Sequence, residues 1–187
     1  MTVVKNYKLS RDKAGLLVID VQEKLFPYVE NTCTVMKAIQ KVLRGFQILK
    51  LPVFVSEQYP KGLGETVDVL KGILGDKQNY LVKTAFSCMD DKTVKKALLE
   101  SPVEQWVLAG IEAHVCVLQT AKDLIHQGKQ VVVLNDAISS RSIYDFSTAI
   151  AELRDCGARI SSTETVLFEL LRDSKAEEFK EISQLIK

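Results

Sequence analysis

The sequence predicts an α/β protein, a three-layer α/β/α sandwich on a mostly parallel six-stranded sheet. Short runs rich in branched apolar residues alternate with longer runs whose apolar residues recur at helical spacing. The short runs are apolar throughout, as expected of strands covered by helices on both faces. A chain of 187 residues, 47% hydrophobic and 26% charged, is long enough to bury such a core without disulfide staples.

Taken in order, Ala14 to Asp20 (AGLLVID) is the first strand candidate and ends in an acid. Val35 to Leu49 follows with apolar residues at Val35, Ile39, Val42, Leu43, Phe46 and Leu49, a helical stripe that Pro52 helps to end. VFVSE, from Val53, is the second strand. Gly62 and Gly64 mark a loop, with a helix from Glu65 to Leu74, and Tyr80 to Val82 is a short third strand. Asp90 is placed to cap a helix running through Leu99, its side-chain oxygen accepting a free amide hydrogen. QWVLAGI, VCVLQTAKDLIHQG and KQVVVLND then read as strand, helix ending at Gly128, and strand. A helix from Ile143 to Leu153, a break at Gly157 and a weak strand from Arg159 to Ser162 come next. Helices from Glu164 to Leu171 and from Glu178 to Ile186 finish the chain. No repeat, low-complexity segment or boundary interrupts this pattern, so residues 1–187 read as a single domain.

The net charge of +1 argues against a nucleic-acid binder, and no apolar run approaches the roughly 18 residues of a membrane span. Cys33, Cys88, Cys116 and Cys156 stand far apart with no CxxC, and only two histidines exist, so neither a disulfide framework nor a structural zinc site is expected. Reduced thiols and an N-terminus without a signal-peptide core favour the cytoplasm. There is no GxGxxG after the first strand and no GxxxxGK[ST] anywhere, and no cofactor is expected.

Ligand sites in open parallel sheets lie beyond the carboxyl ends of the strands. There the sequence collects Asp20, Glu57 and Gln58, Lys83, Cys116 and Asp136. Taken alone, a cysteine within HVCVL is more often a small buried hydrophobe than a nucleophile. At the start of a helix, however, free N–H groups favour a thiolate and can hold an oxyanion, so its pKa is expected below the roughly 8.5 of a free thiol. His114 is nearest in sequence as a proton acceptor. Asp20 could instead take the proton, and Lys83 favour the thiolate by its charge.

Five segments in this order, LLVIDVQEKLFP, SEQYPKGLG, KTAFSC, AGIEAHVCVLQTA and VVVLNDAISSRS, make the chain resemble the isochorismatase-like (Rossmann-like) cysteine hydrolase superfamily over nearly its full length. The resemblance is greatest to its isochorismatase domain-containing proteins. It implies an Asp–Lys–Cys trio, Asp20, Lys83 and Cys116, acting on small amide-like or carbamoyl substrates through a covalent acyl-enzyme. It also implies a cis peptide at Ile111–Glu112, with amides of Glu112 or Ala113 and of Cys116 forming the oxyanion hole. Under this reading His114 drops to the pocket border. Phe86 and Ser87, with Phe26 and Tyr59 as apolar walls, line the substrate pocket. Gln22 orients Asp20 or a second carboxylate, or faces solvent, and Asn135 and Asp136 order loops.

Two departures narrow the substrate. The metal-binding branch of the superfamily uses an Asp and several histidines near the second strand, where Ser56 to Gly64 carries no histidine. Isochorismate hydrolases proper lack the cysteine. What is expected is a metal-free cysteine hydrolase of a small-molecule substrate, with a weakly active binding or scaffold protein as the alternative and an RNA-acting protein as a third reading. The resemblance further implies a homo-oligomer, dimer or tetramer, for which the apolar face from Val166 to Leu171 is a candidate contact, and it allows a mitochondrial location.

Overall fold

The computed structural model describes residues 7–187. Strands β1 (Ala14–Ile19), β2 (Val53–Gln58), β3 (Tyr80–Lys83), β4 (Gln105–Ile111), β5 (Gln130–Ser139) and β6 (Arg159–Ser161) form one sheet in the order β3-β2-β1-β4-β5-β6. Every neighbouring pair is parallel. The expected three-layer sandwich is therefore the fold found.

Parallel pairing forces each connection to cross a face of the sheet, and the helices do so. On one face lie α1 (Thr32–Ile48), α3 (Asp68–Leu74), α7 (Thr163–Leu171) and α8 (Phe179–Ile186); α2 (Pro60–Leu63) is a single turn after β2. On the other lie α4 (Lys92–Glu100), α5 (Leu118–His126) and α6 (Ile143–Asp155). Strand alternation divides the core accordingly. Leu16 and Val18 of β1 pack with α1 and α7, whereas Leu17 and Ile19 pack with α4 and α5. Trp106 is buried in the second layer with its ring edge-on to Phe54, centroids 5.2 Å apart.

Local chemistry explains the departures from expectation. The cap of α4 is Asp91 rather than Asp90: its carboxylate accepts from the amides of Thr93 and Val94. Of two adjacent acids, only the one in extended conformation can turn its oxygen onto the first turn. β5 continues to Ser139, past the expected end at Asp136, because Ile138 and Ser139 pair with Gly110 and Ile111 after a register shift in the ladder. Asp136 does order a neighbouring segment, as expected, by accepting from the amide of Thr163 at the start of α7. Val166, Leu167, Leu170 and Leu171 are core residues beneath α1, so that face of α7 is not available as a contact surface.

Chain order now locates the switch point. From β1 the chain builds outward through β2 and β3, then returns to the other side of β1 and builds outward through β4, β5 and β6. The two halves diverge between the ends of β1 and β4, the crevice where open α/β sheets bind ligands.

Candidate active site

Asp20 is the first residue past β1. Its backbone turns through the left-handed region, φ 54°, which aspartate tolerates better than most residues. That turn carries the side chain into the interior, where it has no solvent exposure. Lys83, the last residue of β3, reaches it across β2: Nζ lies 2.6 Å from Asp20 Oδ2, with both side chains fully buried. The ammonium is saturated by further bonds to Gln58 Oε1 at 2.7 Å and to the carbonyls of Ala85 and Phe86. Burial alone would pull the Lys83 amine down, but the Asp20 carboxylate outweighs it and holds the amine above its usual range.

Cys116 enters from the end of β4. The Ile111–Glu112 peptide is cis, as expected, and Ala113–Val117 follow as a single π-helical turn before α5 begins. The widened turn puts the Glu112 carbonyl on the amides of Val115 and Val117, which flank Cys116. Such turns are frequent at functional sites because they displace one residue from the regular ladder. Gly110 makes the approach feasible. At φ 118° it lies against β1 so closely that a Cβ would stand 2.1 Å from the Ile19 carbonyl oxygen.

Asp20, Lys83 and Cys116 thus converge at the switch point from three strand ends. Asp20 opposes ionisation of the Cys116 thiol by its charge and as an acceptor for the S–H. Here the structure corrects the expectation of a lowered thiol pKa. Burial first, then Asp20, push the thiol up, and Lys83 only partly offsets them. Cys116 therefore rests as a thiol with a carboxylate at hand, not as a standing thiolate.

The other expected site residues divide. Tyr59 and Phe86 flank β3 with more than half of each residue exposed, so their rings are free to meet a ligand. Gln22 does not face solvent, and its side chain does not bond the Asp20 carboxylate; only its backbone amide reaches Asp20, donating to the carbonyl at 2.9 Å. The side chain is fully buried, its amide donating to the carbonyls of Gln58 and Gly64 and accepting from the Gln58 amide, and so it pins the loop after β2. Ser87 is also buried and donates to Asp123 at 2.6 Å, tying the loop after β3 to α5. Phe26 packs in the core beneath a short 3₁₀ turn, Phe26–Tyr28. His114 pairs through Nδ1 with Ser140 Oγ at 2.9 Å, with Asp145 4.0 Å from its Nε2. It is directed toward the β5 end of the sheet.

Ser56 was not among the expected site residues, and Glu112 was expected for its backbone amide rather than its side chain. The buried Glu112 side chain receives Arg141 from the loop after β5, Nε to Oε1 at 2.7 Å, which braces the segment before Cys116. Ser56 donates to Asp20 Oδ1 at 2.7 Å. Neither sits in a recognisable spacing pattern, because both act across strands. A cavity of about 310 Å³ lies nearby over β5, bounded by Asn31, Thr34, Asn135, Ser139, Ser140 and Phe146. Asp20, Lys83 and Cys116 are not part of its wall. Among the described residues, no three His, Cys, Asp or Glu side chains are grouped to hold a metal ion.

This arrangement has relatives. The isochorismatase domain profile matches residues 14–165, which span every strand and the whole trio. The chain belongs to the isochorismatase family. Isochorismatase domain-containing protein 2 of Danio rerio is 38% identical over 179 residues, 96% of this chain and 89% of that protein. Isochorismatase domain-containing protein 1 of the same organism is 42% identical over 169 residues, and there this isochorismatase domain chain spans only 59% of the relative. Among solved structures, the MAR1 ribonuclease from Caenorhabditis elegans superposes with a TM-score of 0.90 at 36% identity, covering 96% of this chain and 92% of that one. Membership places the chain in a hydrolase superfamily. No helix among the described residues is long and apolar enough to cross a membrane.

Proposed function

We propose that this chain is a cysteine-dependent hydrolase of a small amide-like or carbamoyl substrate, with residues 1–187 forming one catalytic domain. The observation that carries the reading is the Asp20 carboxylate, ion-paired at 2.6 Å to a buried Lys83 while facing the Cys116 thiol. A thiol held neutral beside a base is competent once a carbonyl arrives. Asp20 takes the thiol proton as sulfur attacks, and Lys83 holds the charge that shifts between carboxylate and sulfur. The amide of Cys116 and that of Glu112 or Ala113 receive the developing oxyanion. Asp20 then returns its proton to the leaving nitrogen. Water, deprotonated by the same carboxylate, attacks the thioester, releases the acid and regenerates the thiol.

The exposed rings of Tyr59 and Phe86 border the proposed site and would bracket a small planar group. Ser87, Gln22 and Phe26 would contribute by fixing those loops. His114 would border the pocket without moving a proton.

The test is acyl transfer. Incubation with p-nitrophenyl acetate, followed by a screen of primary amides and N-carbamoyl compounds, should release product and leave an acyl group on Cys116 detectable by intact mass. Cys116→Ala should abolish both. Turnover that survives Cys116→Ala would defeat the cysteine-dependent mechanism, and a wild-type chain that neither turns over nor acylates would leave a binding or scaffold role. A second reading, RNA cleavage, is favoured by the ribonuclease identity of the Caenorhabditis elegans relative. It requires cleavage that weakens steeply with added salt, which a chain of net charge +1 is not expected to give. We also propose that the chain forms a homo-oligomer, with Ile143 and Tyr144 of α6 as exposed apolar contacts in place of α7. Light scattering that returns a concentration-independent monomer would refute this.

A further inference from the structure

Three groups compete for the two oxygens of Asp20. Lys83 Nζ holds Oδ2 at 2.6 Å, Ser56 Oγ donates to Oδ1 at 2.7 Å, and the Cys116 thiol faces the same carboxylate. We infer that Ser56 is a positioning residue for the reaction proposed above, its hydroxyl proton fixing the plane of the Asp20 carboxylate and restraining its pull on the Cys116 proton. The inference rests on that reading only for the chemical role of Cys116.

Ser56 is bound to Asp20 twice. Its carbonyl accepts the Asp20 amide at 3.2 Å, and its hydroxyl meets the carboxylate. It lies in β2, directly opposite Ile19 in the parallel ladder, so the strand register fixes where the hydroxyl sits. It is fully buried, and a hydroxyl there is costly unless bonded. A hydroxyl has one proton and two acceptor sites. That proton is committed to Asp20. Cys88, fully buried beside Ser56, has its thiol pushed up to about 11, by burial and then by Asp20. Ser56 thus orients the base through the carboxylate oxygen that Lys83 does not hold.

The titratable groups around Ser56 and Asp20 are Lys83 from β3, Cys88 from the loop after it and Cys116 from the π turn. Glu57, next along β2, directs its carboxylate away to the amide and hydroxyl of Thr66. A hydrogen bond donated to a carboxylate stabilises its charged form and disperses its charge. Removing the Ser56 hydroxyl leaves the Asp20 charge acting more strongly on the thiol, so Cys116 should ionise at higher pH.

The experiment follows alkylation of Cys116 by iodoacetamide against pH in the full chain, read by peptide mass. Ser56→Ala should move the midpoint upward by roughly 0.5–1 pH unit, and Ser56→Thr should restore it. In an Asp20→Asn background the same substitution should move nothing, because Ser56 acts through the carboxylate. Circular dichroism and Trp106 fluorescence report whether each variant is folded. If the alanine variant is not, Ser56→Cys, similar in size and a weaker donor, is read in the same way. An unmoved midpoint overturns the inference, and so does an equal shift in the Asp20→Asn background. Acylation by p-nitrophenyl acetate is measured alongside. If acylation at Cys116 is absent while the Asp20-dependent shift persists, the hydrolase reading falls and the positioning of Asp20 by Ser56 stands.

Discussion

Lys83 and Asp20 meet at 2.6 Å although 63 residues separate them, and neither side chain is exposed to solvent. Breaking a buried pair from one side leaves an uncompensated charge, which costs about 3–5 kcal/mol, whereas removing both charges costs far less. Lys83→Met should therefore lower the urea midpoint steeply, with Trp106 fluorescence as the probe. Asp20→Asn/Lys83→Met should recover most of that loss yet remain unable to acylate Cys116. Recovery of activity together with stability would assign the pair a structural role only.

Cys116 should behave as a base-assisted thiol. Burial and the Asp20 charge raise its pKa, so thiolate formation in the native protein is lost as pH falls and gained only above the ordinary thiol range. Iodoacetamide at neutral pH should thus modify the exposed Cys33 first and Cys88, buried without exposure, last. Asp20→Asn removes one of the raising causes and leaves the Lys83 cation in place. The alkylation midpoint of Cys116 should then move downward while acyl transfer falls, two effects of opposite sign in one variant. A midpoint that rises in Asp20→Asn would reverse the assigned role of the carboxylate.

The fold was legible in uniformly apolar strands, and the meeting of Asp20, Lys83 and Cys116 at one sheet edge in chemically distinctive residues at the strands' carboxyl ends. The supports were not. Ser56, Glu112 and Arg141 are ordinary polar residues whose partners lie on other strands or on the loops that follow them, and no spacing rule reports such contacts. The thiol pKa was misjudged for a related reason. A helix N-terminus is visible in sequence, whereas burial beside a carboxylate from another strand is not. The π-helical turn at Ala113–Val117 was likewise hidden, since its apolar spacing runs continuously into α5.

Gly110 should be the least replaceable glycine. A Cβ there would stand 2.1 Å from the Ile19 carbonyl oxygen and 2.6 Å from its amide nitrogen, both backbone, at a φ that side chains avoid. β1 and β4 would have to separate where Asp20 and Cys116 are positioned. Gly110→Ala should cost about 3 kcal/mol or more and abolish acyl transfer. Gly72, within α3 with open space around its Cβ position, is the control. Gly72→Ala should stabilise by about 0.5–1 kcal/mol, both values being read from chemical denaturation.

Glu169 should tie the segment before β1 to the body in a pH-dependent way. Its carboxylate accepts from the Leu9 amide at 2.8 Å and pairs with Arg159, which also donates to the Tyr7 carbonyl and lies over the Tyr7 ring. Burial alone would raise the Glu169 pKa, but the Arg159 bond, followed by the Leu9 amide, outweighs it and leaves the carboxyl below its usual range. With the folded pKa depressed, the contribution is fully present above the unfolded value near 4.5 and is lost as pH falls through the folded value. Because the pair is partly solvated, its worth is modest, and Glu169→Gln should cost about 0.5–1.5 kcal/mol at pH 7. The difference between wild type and variant should shrink as pH drops below 4. Amide exchange at Leu9 should speed up in the variant at neutral pH, and an unchanged Leu9 exchange rate would show that the carboxylate does not hold this segment.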